Sequence, residues 1–406
     1  AIVAALVVIG SVSASHSAEP LTLAAAVDRT LRSNPDLAVL PARKLEQYAR
    51  IELAGLRPQL AIDAQIENAF GSGAYRDLNG TETSLSLSQV IELGDQRRKR
   101  LAAARDGMDT LELAQTVAQL DVVAETTRRY IELASEEQQR TLAAQWLAAS
   151  QRKTSEVERR VKAARAPEVE LVRAQIDLSR AELSVRVAAD RVRIAQRKLA
   201  AMWGATEPDF ERIDVDLFNL PNIEALQHRM EKIASSADFL LFATEIRQRE
   251  AEMALAKAQA RASITVSAGI RRLEATGDQA FIAGFSMPLA SARYAKPRIA
   301  EAQARRDGLE RERDAALIKA RASLFEVAAR LTHAVEEAQT LRDDLLPRME
   351  TAVKATEYAW QRGRYGYIEL TEAQREQLAL RIALITAATN AHLYRIEIER
   401  LTGDSP

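Results

Sequence analysis

The hexapeptide Glu170-Leu171-Val172-Arg173-Ala174-Gln175 returns as Glu369-Leu370-Thr371-Glu372-Ala373-Gln374, 199 positions further along the 406-residue chain. Upstream, Leu87-Ser88-Gln89 matches Phe285-Ser286-Met287 at an interval of 198 positions. A nearly constant interval over most of the chain indicates a tandem duplication of one fold. The repeat is too long for a solenoid unit, so we expect each half to be a complete supersecondary assembly.

Composition limits the class of protein. The chain carries 56 Lys+Arg against 57 Asp+Glu, so no excess of positive charge predicts binding to nucleic acid. Aromatic residues make up only 5% of the chain, whereas Ala, Leu, Glu and Arg are abundant, which is typical of long helices and coiled coils. The sequence contains no cysteine, which excludes disulfides, thiolate metal ligands and a cysteine nucleophile.

The beginning of the sequence resembles a secretory signal. Residues 1–10 form an apolar run too short to span a membrane, and small residues follow up to Ser15. We expect residues 1–18 to be part of a signal peptide, with Val12-Ser13-Ala14 at the cleavage region, and the mature protein to be exported. A terminal core helix is the alternative. No later stretch has the roughly 20 consecutive apolar residues of a spanning helix, so we expect the protein in the periplasm, outside the cell, or in an outer membrane as β-structure.

Each half begins with two predicted helices. Residues 21–59 predict a pair broken at Ser33-Asn34-Pro35, where Asn34 would cap the second helix and Pro35 would lie in its first turn. Residues 223–261 repeat the pair, with a break near residues 235–238.

Two predicted strands follow in each half. Apolar and polar residues alternate there, which predicts one apolar face and one face of Ser, Thr, Asp, Gln and Gly. This pattern is typical of a porin-type wall, and equally of any half-buried hairpin. The predicted strands cover about 61–70, 82–91, 262–272 and 279–289.

Four strands are too few to close a barrel across a membrane, because about eight are the practical minimum. Open edges would leave backbone groups unsatisfied in lipid, so several chains would have to contribute strands. A dimer would supply roughly eight strands and leave an interior filled by side chains. A trimer would supply about twelve and leave a lumen, so a channel of this kind is expected to be a trimer.

Long helices complete each half. Residues 95–162 contain no proline and one glycine, which predicts a helix of roughly 100 Å. The returning helix, residues 167–203, has a large/small heptad seam and a second apolar seam beside it, so we expect it to have neighbours on two sides. An ordinary helical bundle is the alternative. The second half repeats these helices at about 292–362 and 366–403. The second seam consists of Val172, Ile176, Leu183, Val187 and Ile194.

The order helix, helix, strand, strand, long helix, turn, long helix, present twice, resembles the TolC-type outer-membrane efflux channel family. The resemblance covers essentially the whole mature chain. It is carried by residues 87–100, by the hairpin at residues 159–167 and by Gly204 at the end of the first repeat. The hairpin at residues 358–370 looks most like the CzcC-like components of the heavy-metal branch.

The resemblance implies a mainly α fold with a small β part. Residues 19–204 and 221–406 would be two efflux repeats joined by a linker at residues 205–220. Three copies would form one twelve-stranded β-barrel in the outer membrane of a Gram-negative cell, in contact with its lipid, and a periplasmic α-helical barrel below it. The expected partners are a periplasmic adaptor (membrane-fusion) protein and an inner-membrane resistance-nodulation-division pump. No cofactor, nucleic acid or catalytic activity is implied.

The expected cargo is a divalent cation such as cobalt, zinc or cadmium, on its way from pump and adaptor to the outside. Drugs or other organic substrates in the same duct are one alternative. A soluble periplasmic coiled-coil scaffold is an alternative of another class, although an adaptor or scaffold would not need two amphipathic strand hairpins.

In the family, the turns between the long helices touch the adaptor and form the constriction. Here they map to tip 1 (residues 162–168) and tip 2 (residues 361–367), where Arg165 and Arg364 are equivalent. The residues of both tips could instead be ordinary surface residues of tight turns. The expected adaptor-contact residues are Lys162, Ala164, Arg165, Ala166, Pro167, Arg362, Gly363, Arg364, Tyr365 and Gly366.

Four acids near the tips are candidates for lining the gate or lumen and attracting cations: Glu168, Glu170, Glu369 and Glu372. Glu168 and Glu369 lie in predicted first turns of helices, where the helix dipole already explains a carboxylate. The histidines His16, His228, His333 and His392 have no ligand spacing, so no metal site is expected. No Ser/His/Asp set or phosphate-binding glycine loop predicts an enzyme.

Overall fold

The structure is a computed structural model that describes residues 20–223, 226–289 and 291–403. The expected signal peptide, residues 1–18, and His16 within it lie outside the described residues. The helices are α1 (Leu23–Ser33), α2 (Leu40–Gly55), α3 (Gln96–Lys162), α4 (Glu168–Ala200), α5 (Leu226–Ile233), α6 (Ala237–Ala258), α7 (Ser291–Thr340), α8 (Leu346–Gln361) and α9 (Tyr367–Thr402). The strands are β1 (Leu60–Glu67), β2 (Glu82–Ile91), β3 (Ile264–Leu273) and β4 (Asp278–Ser286).

The second helix begins later than the sequence predicts, and Asn34 does not cap it. The Asn34 side-chain oxygen accepts hydrogen bonds from the N–H groups of Asp36 (2.9 Å) and Leu37 (3.2 Å), and its amide donates to the Met202 carbonyl (2.8 Å). These bonds hold Asn34 at the start of a turn, and α2 begins at Leu40 with a proline in its first turn. The prediction that Asn34 caps α2 was therefore wrong.

The four strands form one antiparallel sheet in the order β1-β2-β3-β4. Each strand lies within three residues of its predicted bounds, and β1 ends early because Asn68 and Phe70 have positive φ angles of 57° and 58°. Directly paired residues point to the same side, so the register defines two faces. The apolar face carries Ile62, Ile66, Leu85, Leu87, Val266, Ile270, Phe281 and Phe285, and the polar face carries Asp63, Glu67, Glu82, Ser84, Ser86, Ser88, Ser267, Arg271 and Asp278.

The long helix of the second half is interrupted, which the sequence did not predict. A π-helical turn, Leu341–Leu345, separates α7 from α8, and the N–H of Leu346 donates to the carbonyl of Leu341. Pro347 has no N–H, and its ring would clash with the carbonyl four residues earlier, so the wider turn accommodates it. The corresponding helix of the first half, α3, runs without interruption.

The chain divides into two compact units, and each takes segments from both halves of the sequence. Among the described residues, the first unit contains those up to Ala38, those within Gln119–Arg229 and those from Ser323 onwards; the second contains those within Val39–Ala118 and Met230–Ala322. None of the helices in the described part of the chain is both long and apolar enough to cross a membrane.

Tyr130 lies at the centre of the first unit. It is fully buried, and its hydroxyl lies 2.8 Å from the carbonyl oxygens of Leu21 and Asp214, to one of which it donates. The hydroxyl also accepts a hydrogen bond from the N–H of Asp214 at 3.1 Å. Residues 205–220, expected as a linker, therefore pack into this core, where Phe210 and Leu217 are buried.

Candidate functional site

The two tips end their helices with the same backbone motif. In tip 1 the N–H of Arg165 donates to the Arg160 carbonyl at 2.8 Å, and in tip 2 the N–H of Arg364 donates to the Ala359 carbonyl at 2.9 Å. A left-handed residue precedes each donor, Ala164 with φ 55° and Gly363 with φ 69°, which completes a Schellman motif. Glycine adopts this conformation without cost, whereas alanine does not, so tip 1 is the more strained of two equivalent turns.

All ten expected adaptor-contact residues are accessible to solvent, and among them only Ala166 is half-buried. Lys162 is paired with Glu158 at 2.8 Å, and the Arg362 guanidinium lies 4.5 Å from the ring centre of Tyr358. By contrast, the guanidinium groups of Arg165 and Arg364 make no hydrogen bond or ion pair with any residue that the structure describes. Those two arginines therefore keep their donors available for a partner.

The two hairpins contact each other directly behind the tips. Arg160, near the end of α3, donates to the Trp360 carbonyl at 3.0 Å and lies 4.4 Å from the centre of the Trp360 ring. Trp360 belongs to a small buried apolar cluster with Val157, Ala174, Tyr367 and Leu370. Both hairpins supply residues to this cluster, so its burial holds tip 1 beside tip 2.

A polar cluster lies beside this apolar one, and we call it the Asp177 cluster: Lys153, Asp177, Tyr367 and Arg375. Asp177 is 6% exposed. It accepts hydrogen bonds from the Tyr367 hydroxyl (3.0 Å) and from the Arg375 guanidinium (2.6 Å). The Lys153 ammonium lies 3.9 Å from the carboxylate of Asp177. One buried carboxylate on α4 thus joins α3 of the first hairpin to α9 of the second.

Charge in the Asp177 cluster is only partly balanced, because one carboxylate faces two cations. Burial lowers the pKa of Lys153; Asp177 opposes this shift, and Arg375 adds to it. The Lys153 ammonium also donates to the Gln374 side chain at 3.2 Å and lies 5.6 Å and 5.3 Å from the ring centres of Trp146 and Tyr367. Burial raises the pKa of Tyr367 to about 12, so its hydroxyl remains a donor at neutral pH.

The four candidate gate acids are not gathered in one place. Glu372 lines a cleft of about 330 Å³ between α4 and α9, together with Asp177. Three arginines line the same cleft, so it carries more positive than negative charge: Arg173, Arg180 and Arg375. Glu168 and Glu369 are exposed in the first turns of α4 and α9, as the helix dipole favours, and Glu170 is half-buried in the first turn of α4.

Sequence reasoning did not single out the Asp177 cluster, although a signal was present. On α4, Asp177 lies between the buried residues Ala174 and Ala181, on the same side of the helix. On α3, Lys153 lies between the buried residues Ser150 and Val157. A charged residue at an inward helical position needs a partner. Searching the predicted seams for such residues would have identified both positions.

Among the described residues, no three His, Asp or Glu side chains lie close enough together to hold a metal ion. His392 is buried in the core of the first unit, where its Nε2 lies 3.0 Å from the Leu217 carbonyl oxygen. Burial lowers the pKa of His392, which favours the neutral ring. We therefore interpret this histidine as a structural residue.

Comparisons with known proteins agree with this architecture. Residues 26–205 match the family model described as outer membrane efflux protein. Over 393 residues the chain is 26% identical to the cobalt-zinc-cadmium resistance protein CzcC of Cupriavidus metallidurans, an alignment covering 96% of this chain and 91% of that protein.

Two solved structures have a similar fold. One is CusC, from a study of folding and transmembrane channel formation, with TM-score 0.75, 17% identity, and coverage of 94% of this chain and 92% of that chain. The other is the open state of the Neisseria gonorrhoeae MtrE outer membrane channel, with TM-score 0.74, 17% identity, and coverage of 94% and 89%. The family resemblance expected from the sequence is confirmed.

Proposed function

Because the chain carries an outer membrane efflux protein domain and the TolC-type fold, we propose that it is the outer-membrane channel of a tripartite efflux system. It conducts substrate passively, and the pump supplies the energy. The observation that carries this proposal is the four-stranded sheet, which has one apolar face, one polar face and two unpaired edges.

The sheet supports a barrel made by several copies. The apolar face is exposed to an unusual degree, with Ile62 72%, Phe281 74% and Phe285 67% accessible. An exposed apolar sheet with open edges would aggregate in water. We propose that β4 of one copy pairs with β1 of the next and that three copies close a barrel of about twelve strands, with the apolar face towards lipid.

Helix α4, which belongs to the first unit, also supports an assembly of several copies. Its second seam has no cover among the described residues, because its five apolar side chains are between 42% and 54% exposed. An apolar stripe of this length on a long helix is typical of an interface. We propose that a helix of the neighbouring copy covers it, which extends the trimer into a periplasmic helical barrel.

The tips are the proposed contact with the periplasmic adaptor. Arg165 and Arg364 are exposed and unpaired within the described chain, so they can donate to carboxylates or backbone carbonyls of a partner. Replacing both by glutamate, R165E and R364E, should abolish resistance in cells while leaving the amount of protein in the outer membrane unchanged. Resistance equal to that of the wild type would contradict this assignment.

The proposed cargo is a divalent metal cation. The support is the similarity to the cobalt-zinc-cadmium resistance protein, which extends over nearly the whole chain. A transport-deficient strain expressing this chain with its pump and adaptor should grow better in zinc, cobalt or cadmium. If drugs or dyes are tolerated better instead, the same duct serves organic substrates.

Cell fractionation and the detergent-solubilised mass test the proposed function as a whole. A heat-sensitive species of three chains in the outer-membrane fraction is the expected result. A soluble periplasmic monomer or dimer would overturn the proposal and favour the coiled-coil scaffold.

A further inference from the structure

A row of carboxylates crosses the polar face of the sheet at its loop end, where the hairpin turns lie. The register aligns Glu67 of β1 with Glu82 of β2, Glu82 with Leu273 of β3, and Leu273 with Asp278 of β4. Three of four neighbouring strands therefore place an acid at the same level and on the same face. We call these three residues, Glu67, Glu82 and Asp278, the charged row.

One arginine reaches into the charged row. Arg271 lies two residues before Leu273 on β3, so it points to the same face, and its guanidinium donates to Glu82 (2.7 Å) and Glu67 (3.0 Å). Its Nε donates to the Ser84 hydroxyl at 2.9 Å, and Ser84 is only 4% exposed. Three hydrogen bonds to two strands hold this positive charge in place.

The adjacent arginine provides a natural comparison. Arg272 points to the opposite, apolar face and pairs with Glu274 at 2.8 Å. No other Lys or Arg occurs in the four strands, all of whose residues are described. With Asp63, which accepts a hydrogen bond from Ser88 at 2.6 Å, the polar face carries four carboxylates and a single guanidinium.

We infer that Arg271 determines the selectivity of the channel by limiting how strongly the polar face prefers cations over anions. This inference rests on the proposed function, in which the polar face lines an aqueous lumen. There the acids attract cations and repel anions, and Arg271 offsets one of them in each copy. No ion-binding site is invoked, since the carboxylates act through the field in the lumen.

The size of the effect follows from the assembly. In the proposed trimer three guanidinium groups would lie at one level, and we take their distance from the central axis as one Debye length, about 10 Å at 0.1 M salt. Screened Coulomb interactions at this distance predict that removing them raises the cation-to-anion permeability ratio roughly fourfold. Removing a carboxylate of the charged row should lower the ratio by a similar factor.

The test is the reversal potential of the purified protein in a planar lipid bilayer under a KCl gradient. Arg271→Gln should raise the ratio of potassium to chloride permeability, and Glu82→Gln should lower it. Arg272→Gln is the matched control, since the charge it removes lies on the other face, and should keep the wild-type ratio. Arg271→Lys retains the charge without the three hydrogen bonds, so it should also keep the ratio.

The outcomes separate the two proposals. If trimers insert and conduct but Arg271→Gln keeps the wild-type ratio, the inference is overturned and the proposed function stands. If Arg271→Gln fails to assemble, the double variant Arg271→Gln with Glu82→Gln replaces it: a ratio above that of Glu82→Gln alone supports the inference, and an equal ratio overturns it. If the wild-type chain forms neither trimers nor channels, the proposed function fails and this inference fails with it.

Discussion

Replacing Asp177 by asparagine should loosen the contact between the two helical hairpins. The amide can still accept a hydrogen bond from the Tyr367 hydroxyl, but it removes the charge that faces Lys153 and Arg375. Its NH₂ group would also compete with the donors of Arg375. The substitution therefore leaves a buried lysine and an arginine without their carboxylate.

The size of this loss can be estimated from the burial of the partners. Breaking a buried ion pair by removing one partner costs about 3–5 kcal/mol. Arg375 is 52% exposed and finds water instead, whereas the side chain of Lys153 is 5% exposed and does not. We therefore discount the cost to about 2 kcal/mol, which corresponds to roughly a thirtyfold change in an equilibrium constant.

Amide hydrogen exchange measured by mass spectrometry on the detergent-solubilised protein is the suitable assay, because it reports local opening. The first three turns of α9 should exchange roughly thirtyfold faster in Asp177→Asn. The matched control is Asp190→Asn on the same helix, which removes an exposed ion pair with Arg193 and should change exchange less than about threefold. Equal protection of α9 in the two variants would refute the reasoning.

A double variant shows whether the loss arises from the ion pair. Arg375→Met in the Asp177→Asn background should cost less than the sum of the two single substitutions, by about 1 kcal/mol, because the partners interact. Additive effects would mean that Asp177 stabilises α9 without Arg375.

Three further predictions concern the turns and the core of the first unit. Ala164→Gly should stabilise tip 1 by about 1 kcal/mol, and Gly363→Ala should destabilise tip 2 by a similar amount, because both residues have positive φ; hydrogen exchange at each tip measures this. Burial lowers the pKa of His392 in the folded protein below its ordinary value of 6.5. As the pH falls, the histidine is therefore protonated in the unfolded chain at a higher pH than in the folded one, so the free energy of unfolding should decrease below about pH 6.5. The Tm of His392→Asn should depend less on pH in that window, and an unchanged dependence would exclude this histidine as the cause. Tyr130→Phe should cost about 1 kcal/mol because it removes a buried hydroxyl that donates to the carbonyl of Leu21 or Asp214, and it should lower the Tm.

Local pattern was sufficient for much of the architecture. Alternating residues placed the four strands within three residues of their bounds, and the long proline-free stretch placed α3 within one residue. Both signals are local, since each is read from residues close together in the chain. The interval of 199 positions also paired Arg165 with Arg364, and the two turns proved to have the same backbone motif.

The structure differs from the sequence-based prediction at two places, Asn34 and the helix around Pro347. Asn34 has the right chemistry for a helix cap, but its bonds to Asp36 and to the Met202 carbonyl hold it in a turn before α2. Pro347 was visible in the sequence, yet only the packed helix shows that a π turn accommodates it without ending the chain's helical path.

The sequence by itself determined the duplication, the two kinds of periodicity and the positions of the tips, because each depends on residues close together in the chain or on a constant interval. The tertiary structure alone decided which charges meet. Asp177 meets Tyr367 and Arg375 across two hairpins, and Arg271 meets Glu67 across an intervening strand. These partners are 190, 198 and 204 residues apart, so helix packing and strand register select them. A buried or tightly held charge is stable only where the packing or the register brings an opposite charge or a hydrogen-bond partner to it.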